Sequence, residues 1–220
     1  MLQELIAIHQ QVMSTTPQAK KRYLFDKINW DANAICFLGG RGVGKTTLMC
    51  QYLLTKYRDI SEALYISADN IYVLSNSIFA IAQNYFQQGG KALCIDEVHK
   101  YPEWEREIKN IIDTYKNKQI IISGSSSLDL TKSKYDLSRR VVYHELKGLS
   151  FREYLYFSQD IKTAAVTLSD IISHHVQIAN QFKETTILKH FKEYLDEGYF
   201  PFFLENKQDY LEPVPFAQVF

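Results

Sequence analysis

The stretch Gly39-Gly40-Arg41-Gly42-Val43-Gly44-Lys45-Thr46 has the residue types that binding a phosphate chain requires. Glycines at 39, 40, 42 and 44 let successive backbone N–H groups converge on one concavity without a Cβ in the way. Lys45 adds a cation with the reach of the β and γ phosphates, and the Thr46 hydroxyl suits a magnesium shell. Together with Thr47, these residues form the predicted nucleotide-contacting segment, with ATP or ADP and magnesium as the expected ligands. A second piece of the same chemistry is the apolar run Leu93-Cys94-Ile95, which closes on Asp96-Glu97. Asp96 is expected to hold magnesium through its oxygen or a bound water. Glu97, one residue beyond, is placed to orient and polarise a water against the γ phosphate. A small hydroxyl beside the acidic strand, from Ser123 or Ser125, would contact that water or the γ phosphate. Downstream, Arg139-Arg140 offer an arginine that supplies charge to the transition state in cis or in trans.

These groups need elements to hold them. Ala34-Ile35-Cys36-Phe37-Leu38 is a continuous apolar run stopped by glycines, the pattern of a strand buried on both faces of a parallel sheet. The segment Thr46 to Tyr57 carries apolar residues on one helical face. Strand and helix then alternate: a strand at 63–67, a helix at 78–86, a strand at 92–95, a helix opening at Pro102, and a strand at 119–123. Val141-Val142-Tyr143 supplies a fifth strand. The expectation is an α/β fold, a P-loop NTPase core with a five-stranded, mainly parallel sheet between helices and a smaller helical appendage. Residues 1–20 form an N-terminal docking helix, 21–149 the ATPase core, and 150–220 the appendage. Ser150-Phe151-Arg152-Glu153 opens that appendage as a capping box, and helices follow at 171–182 and 187–195.

Composition narrows the function classes. The 220 residues are 46 % apolar and 23 % charged, which suits a folded chain with a full core. Lys plus Arg and Asp plus Glu number 25 each, so no global field draws the chain to nucleic acid or a membrane surface. Cys36, Cys50 and Cys94 sit in apolar runs and read as buried thiols of a reducing compartment. With no leader pattern and no long apolar run, a soluble, cytoplasmic chain is expected.

In succession the motifs resemble the bacterial and archaeal AAA-type ATPases of the branch carrying a C-terminal domain of unknown function, related to the signal-transduction NTPases with numerous domains. The resemblance runs from about residue 20 to residue 205. It rests on Gly39 to Thr47, Ile95-Asp96-Glu97-Val98-His99-Lys100 with Trp104, Ile122 to Ser127, Leu137-Ser138-Arg139-Arg140, Leu149 to Leu155, and Tyr194 to Pro201. It implies an ATPase with a catalytic glutamate at Glu97, a polar sensor at Ser123 and an arginine at Arg140. The family usually has glycine where this chain has Arg139, and its chains usually continue into a winged-helix and nuclease-like tail. This chain is therefore either a short member or one whose C-terminal region extends past Phe220.

Two other readings compete with magnesium-dependent hydrolysis that drives or gates an unknown protein partner. One is a nucleotide-gated scaffold with negligible turnover, which has no need of a water-polarising Glu97. The other is a nucleic-acid motor, since Asp96-Glu97-Val98-His99 matches the acidic box of superfamily-two helicases. A helicase needs a second motor domain, for which this length has no room. His99 is then a polar residue beside the site. The basic stretch of Lys132, Lys134, Arg139, Arg140, Lys147 and Arg152 reads as a solvated face in preference to a nucleic-acid patch. A second copy of the chain is the remaining partner to consider.

Overall fold

The five apolar runs form five strands in a computed structural model, which describes residues 2–57, 59–125, 137–182 and 186–204. The strands are β1 (Ala34–Leu38), β2 (Ala63–Ser67), β3 (Ala92–Asp96), β4 (Gln119–Gly124) and β5 (Val142–Glu145). They make one sheet in the order β2-β3-β4-β1-β5, in which every pair is parallel. The sheet is thus wholly parallel, where the sequence predicted mainly parallel. β4 stands between the strand that ends at the glycine loop and the strand that ends at Asp96. β5 lies at the edge and starts one residue later than its apolar run, because Val141 spends its N–H on Leu137 in the preceding turn. It continues through His144 and Glu145, where pairing with β1 decides the strand rather than side-chain polarity.

Burial on both faces explains why β1 to β4 read as unbroken apolar runs. On one face Cys36, Ile66, Leu93, Ile95, Ile120 and Ile122 pack with Ile78, Ile81, Ile108 and Ile111 from α4 (Ile78–Gln87) and α5 (Trp104–Thr114). On the other, Cys94 meets Met49 of α2 (Lys45–Lys56) at 3.6 Å. Each such side chain taken fully from water contributes about 1.5–3 kcal/mol. The three cysteines are buried free thiols, and burial pushes Cys36 and Cys50 up to about 12. α1 (Leu2–Thr15) buries Leu2, Leu5, His9 and Met13 at helical spacing. It covers the outer edge of β2, where the Tyr65 N–H donates to His9 Nδ1 at 2.9 Å. An edge strand otherwise leaves such donors unpaired.

By contact pattern the chain divides into two compact units, Met1–Lys147 and Gly148–Phe220. The second unit contains α6 (Phe151–Gln159), α7 (Leu168–Asn180) and α8 (Ile187–Glu197). Ser150 and Glu153 form the predicted capping box, and Thr167 and Asp170 form another at the start of α7. Tyr154 and Leu149 are its buried centre, with Phe151 and Tyr194 packed against them. No described helix is long and apolar enough to cross a membrane.

Candidate nucleotide site

In a wholly parallel sheet all strands end on the same side, and the predicted site residues of β1, β3 and β4 are carried there by strand polarity alone. The loop after β1 is shaped by two left-handed glycines, Gly42 at φ 81° and Gly44 at φ 93°. Gly39 is required for a different reason. A Cβ there would lie 2.4 Å from the Leu146 carbonyl oxygen, at the place where Leu146 N–H donates to Leu38 at 2.7 Å. The loop is also held from behind. The buried Arg22 donates to the Val43 carbonyl at 2.7 Å and to the Lys147 carbonyl at 2.8 Å.

Lys45 and Asp96 are 5 % and 3 % exposed, so each requires polar partners. The Lys45 ammonium donates to the Gly39 and Gly40 carbonyls at 2.9 and 3.0 Å and lies 3.6 Å from Glu97 Oε1. Four donors converge on Asp96. Thr46 and Tyr65 donate their hydroxyl hydrogens to Oδ2 at 2.5 and 3.0 Å. Ser123 Oγ and the Glu97 N–H donate to Oδ1, the latter at 3.1 Å. The Glu97 N–H also reaches Ser123 Oγ at 3.1 Å. Of the two serines left open by residue type, Ser123 is bonded to Asp96. Burial, with the Asp96 charge beside it, pushes the Tyr65 hydroxyl well above the usual phenol range, so it remains a donor. Glu97 Oε2 lies 3.3 Å from His99 Nε2.

This arrangement joins Lys45, Thr46, Asp96, Glu97 and Ser123 into one contiguous set. Arg140 lies elsewhere. It precedes the first residue of β5, and Val142 pairs with Ile35 near the start of β1. Its guanidinium takes both oxygens of Asp113 in the last turn of α5, with Nε at 2.8 Å and Nη2 at 3.4 Å. That hydrogen bond, followed by one from Lys109, holds the Asp113 carboxyl below its usual range. Arg140 thus occupies the starting end of the strands, about 16 Å of strand length from the finishing end where Lys45 and Asp96 sit. Ser126, Ser127, Lys132, Lys134 and Asp136 lie outside the described residues.

The wholly parallel sheet, with a glycine loop after β1, an acidic tip on β3 and an inserted β4, is accompanied by a family match. Residues 31–155 fit the model of the AAA domain. This chain belongs to the AAA domain family. An uncharacterized protein of Methanocaldococcus jannaschii is 28 % identical over 219 residues, covering 90 % of this chain and 46 % of that protein. The chain thus spans about half the length of that curated relative. Among solved structures, the replication initiator DnaA bound to AMPPCP and single-stranded DNA is similar with a TM-score of 0.50 at 17 % identity. That likeness covers 99 % of this chain and 66 % of the other, and it concerns the fold. Family and fold make the AAA domain described here a P-loop protein of the nucleotide-binding, ATPase type.

Sequence reasoning missed two residues of the site. Tyr65 sits on β2, whose run reads simply as a buried strand, and only the pairing of Ser67 with Asp96 brings its hydroxyl within reach. Arg22 lies in an irregular stretch before β1 and reaches a carbonyl 125 positions away. It ends the basic run Lys20-Lys21-Arg22, where nothing in the sequence sets it apart from the two lysines before it.

Proposed function

We propose that this AAA domain binds ATP with magnesium at the Gly39 to Thr47 loop and hydrolyses it, with Glu97 polarising the attacking water. The observation that carries the proposal is the contiguous set linking Lys45, Thr46, Asp96, Ser123 and Glu97. Backbone N–H groups of the loop and the N-terminus of α2 receive the phosphates. Arg41, Val43 and Thr47 complete that cradle alongside the glycines. Lys45 exchanges its carbonyl partners for phosphate oxygens, a charge-assisted bond stronger than the ones it leaves.

The donor set suits a small hard cation. Thr46 spends its hydrogen on Asp96, which leaves its oxygen lone pairs available, and Asp96 adds carboxylate oxygens. Thr46 and Asp96 would hold magnesium, which would neutralise charge developing on the phosphates. Glu97, outside the strand and one residue past Asp96, accepts the proton of the water. Ser123 fixes the Glu97 backbone through its N–H, a positioning part consistent with a polar sensor.

In this reading Arg140 completes the site of a second copy. Its place at the starting end of the strands separates it from its own loop and leaves it at the edge strand β5. A homo-oligomer follows, with hydrolysis that depends on assembly.

Calorimetric titration of ATP with magnesium, beside phosphate release, tests the proposal. Lys45→Ala should lower ATP affinity by about 10²-fold, the loss of one charge-assisted contact of about 3 kcal/mol. A folded Lys45→Ala protein with wild-type affinity would remove the loop from the account.

A further inference from the structure

Glu97 has φ 52° and ψ 41°, a left-handed conformation that costs a non-glycine residue about 1–3 kcal/mol. The surroundings enforce it. Its N–H is held by Asp96 and Ser123, its carbonyl accepts the Lys100 N–H at 2.9 Å, and the next residue, Val98, is fully buried. The tight turn Val98–Lys100 then brings His99 back over the residue that started it. The two carboxylate oxygens of Glu97 therefore have separate neighbours, Lys45 on Oε1 at 3.6 Å and His99 on Oε2 at 3.3 Å. Under the proposed function Lys45 turns to the phosphates when ATP binds, and His99 remains as the side chain that holds Glu97.

We infer that His99 is a positioning residue, whose Nε2–H donates to Glu97 Oε2 and keeps the carboxylate aimed at the water. The other side of the ring sets the tautomer. His99 Nδ1 is buried with no hydrogen-bond partner among the described residues. A proton there would be a buried orphan donor, and a bare Nε2 would set its lone pair against the carboxylate. An unshared lone pair on Nδ1 costs less. The neutral ring therefore carries its hydrogen on Nε2, facing Glu97. The inference rests on the water-polarising reading of Glu97.

His99→Ala should lower kcat about tenfold or more while ATP affinity and KM stay within about twofold, because the lost contact is made to Glu97 and not to nucleotide. His99→Gln, whose amide N–H falls near Nε2, should recover most of the rate. Placed on top of Glu97→Gln, His99→Ala should add no further loss. A long-range proton–nitrogen spectrum of the nucleotide-free protein should show His99 as the Nε2–H tautomer, a readout that holds even where the alanine variant fails to fold. Wild-type kcat in His99→Ala beside a disabled Glu97→Gln would overturn this inference alone, as would the Nδ1–H tautomer. Wild-type turnover in Glu97→Gln would remove the reading of Glu97 and this inference with it.

Discussion

The two ends of the sheet are built for different purposes. At the finishing end of the strands, polar side chains from the glycine loop, β2, β3 and β4 touch one another around Asp96. At the starting end, Trp30 stacks on Tyr52 at 3.9 Å, and Tyr52 and Tyr57 both donate to Gln119 Oε1 at 2.9 and 3.1 Å. Gln119 returns a hydrogen bond to the Trp30 carbonyl at 2.6 Å. One end concentrates charge and oxygen ligands. The other closes the sheet with rings and neutral hydrogen bonds around Gln119, beside an ion pair of Lys91 with Glu62. Arg140 differs from the other charged groups at the starting end in that its proposed chemistry belongs to the finishing end. Within its own chain Arg140 pairs with Asp113, and under the proposed function it also serves the site of a second copy.

The largest effect expected from this contrast is at Arg140. Arg140→Ala should cut turnover by about 10³-fold or more with ATP affinity nearly unchanged, as for an arginine acting on the transition state. Mixing Arg140→Ala with Glu97→Gln should restore part of the activity, because one copy supplies the glutamate and the other the arginine. Specific activity of the wild type should also rise with protein concentration. Absence of rescue at every ratio would return Arg140 to its own chain and break the division between the two ends.

A smaller effect is expected at Tyr65. Tyr65→Phe removes one of two donors on Asp96 Oδ2 and should raise the magnesium concentration for half-maximal turnover about tenfold, the equivalent of a hydrogen bond to a charged group. An unchanged magnesium requirement would confine Tyr65 to packing. The mildest functional effect belongs to the starting end. Gln119→Ala should lower stability by about 2 kcal/mol, a fall in Tm of about 4–8 °C, and leave ATP affinity and kcat within about twofold. A loss of affinity at unchanged Tm would show that the two ends are coupled.

How much of this was legible in the sequence follows from how local each signal is. The glycine loop, β1 to β4 and the Asp96-Glu97 tip declare themselves within a few residues, since apolar runs, glycine spacing and a strand-ending carboxylate are short-range patterns. Ser123 gained its meaning from β4 lying beside β3, which the acidic strand's neighbour made plausible and the register supplied. Tyr65, Arg22 and the end occupied by Arg140 depend on contacts across 31, 125 and 27 positions, which no periodicity encodes. His99 was read as a polar neighbour of the site, and the left-handed turn at Glu97 gave it a specific partner. α7 teaches the converse. Its apolar residues recur at helical spacing and the helix forms, yet none of them is buried, so pattern alone announced the element and not its packing. The kink at His174, with φ −134°, was equally invisible.

The central claim, that Glu97 polarises water against ATP held by the Lys45 loop, is tested most directly by one paired measurement on Glu97→Gln. ATP binding in the presence of magnesium is read by calorimetry and phosphate release by steady-state turnover on the same preparation. The amide keeps the shape of the side chain and cannot accept the proton. The expected result is affinity within a few-fold of wild type and turnover reduced about 10²-fold or more. Retained binding with wild-type turnover would contradict the account.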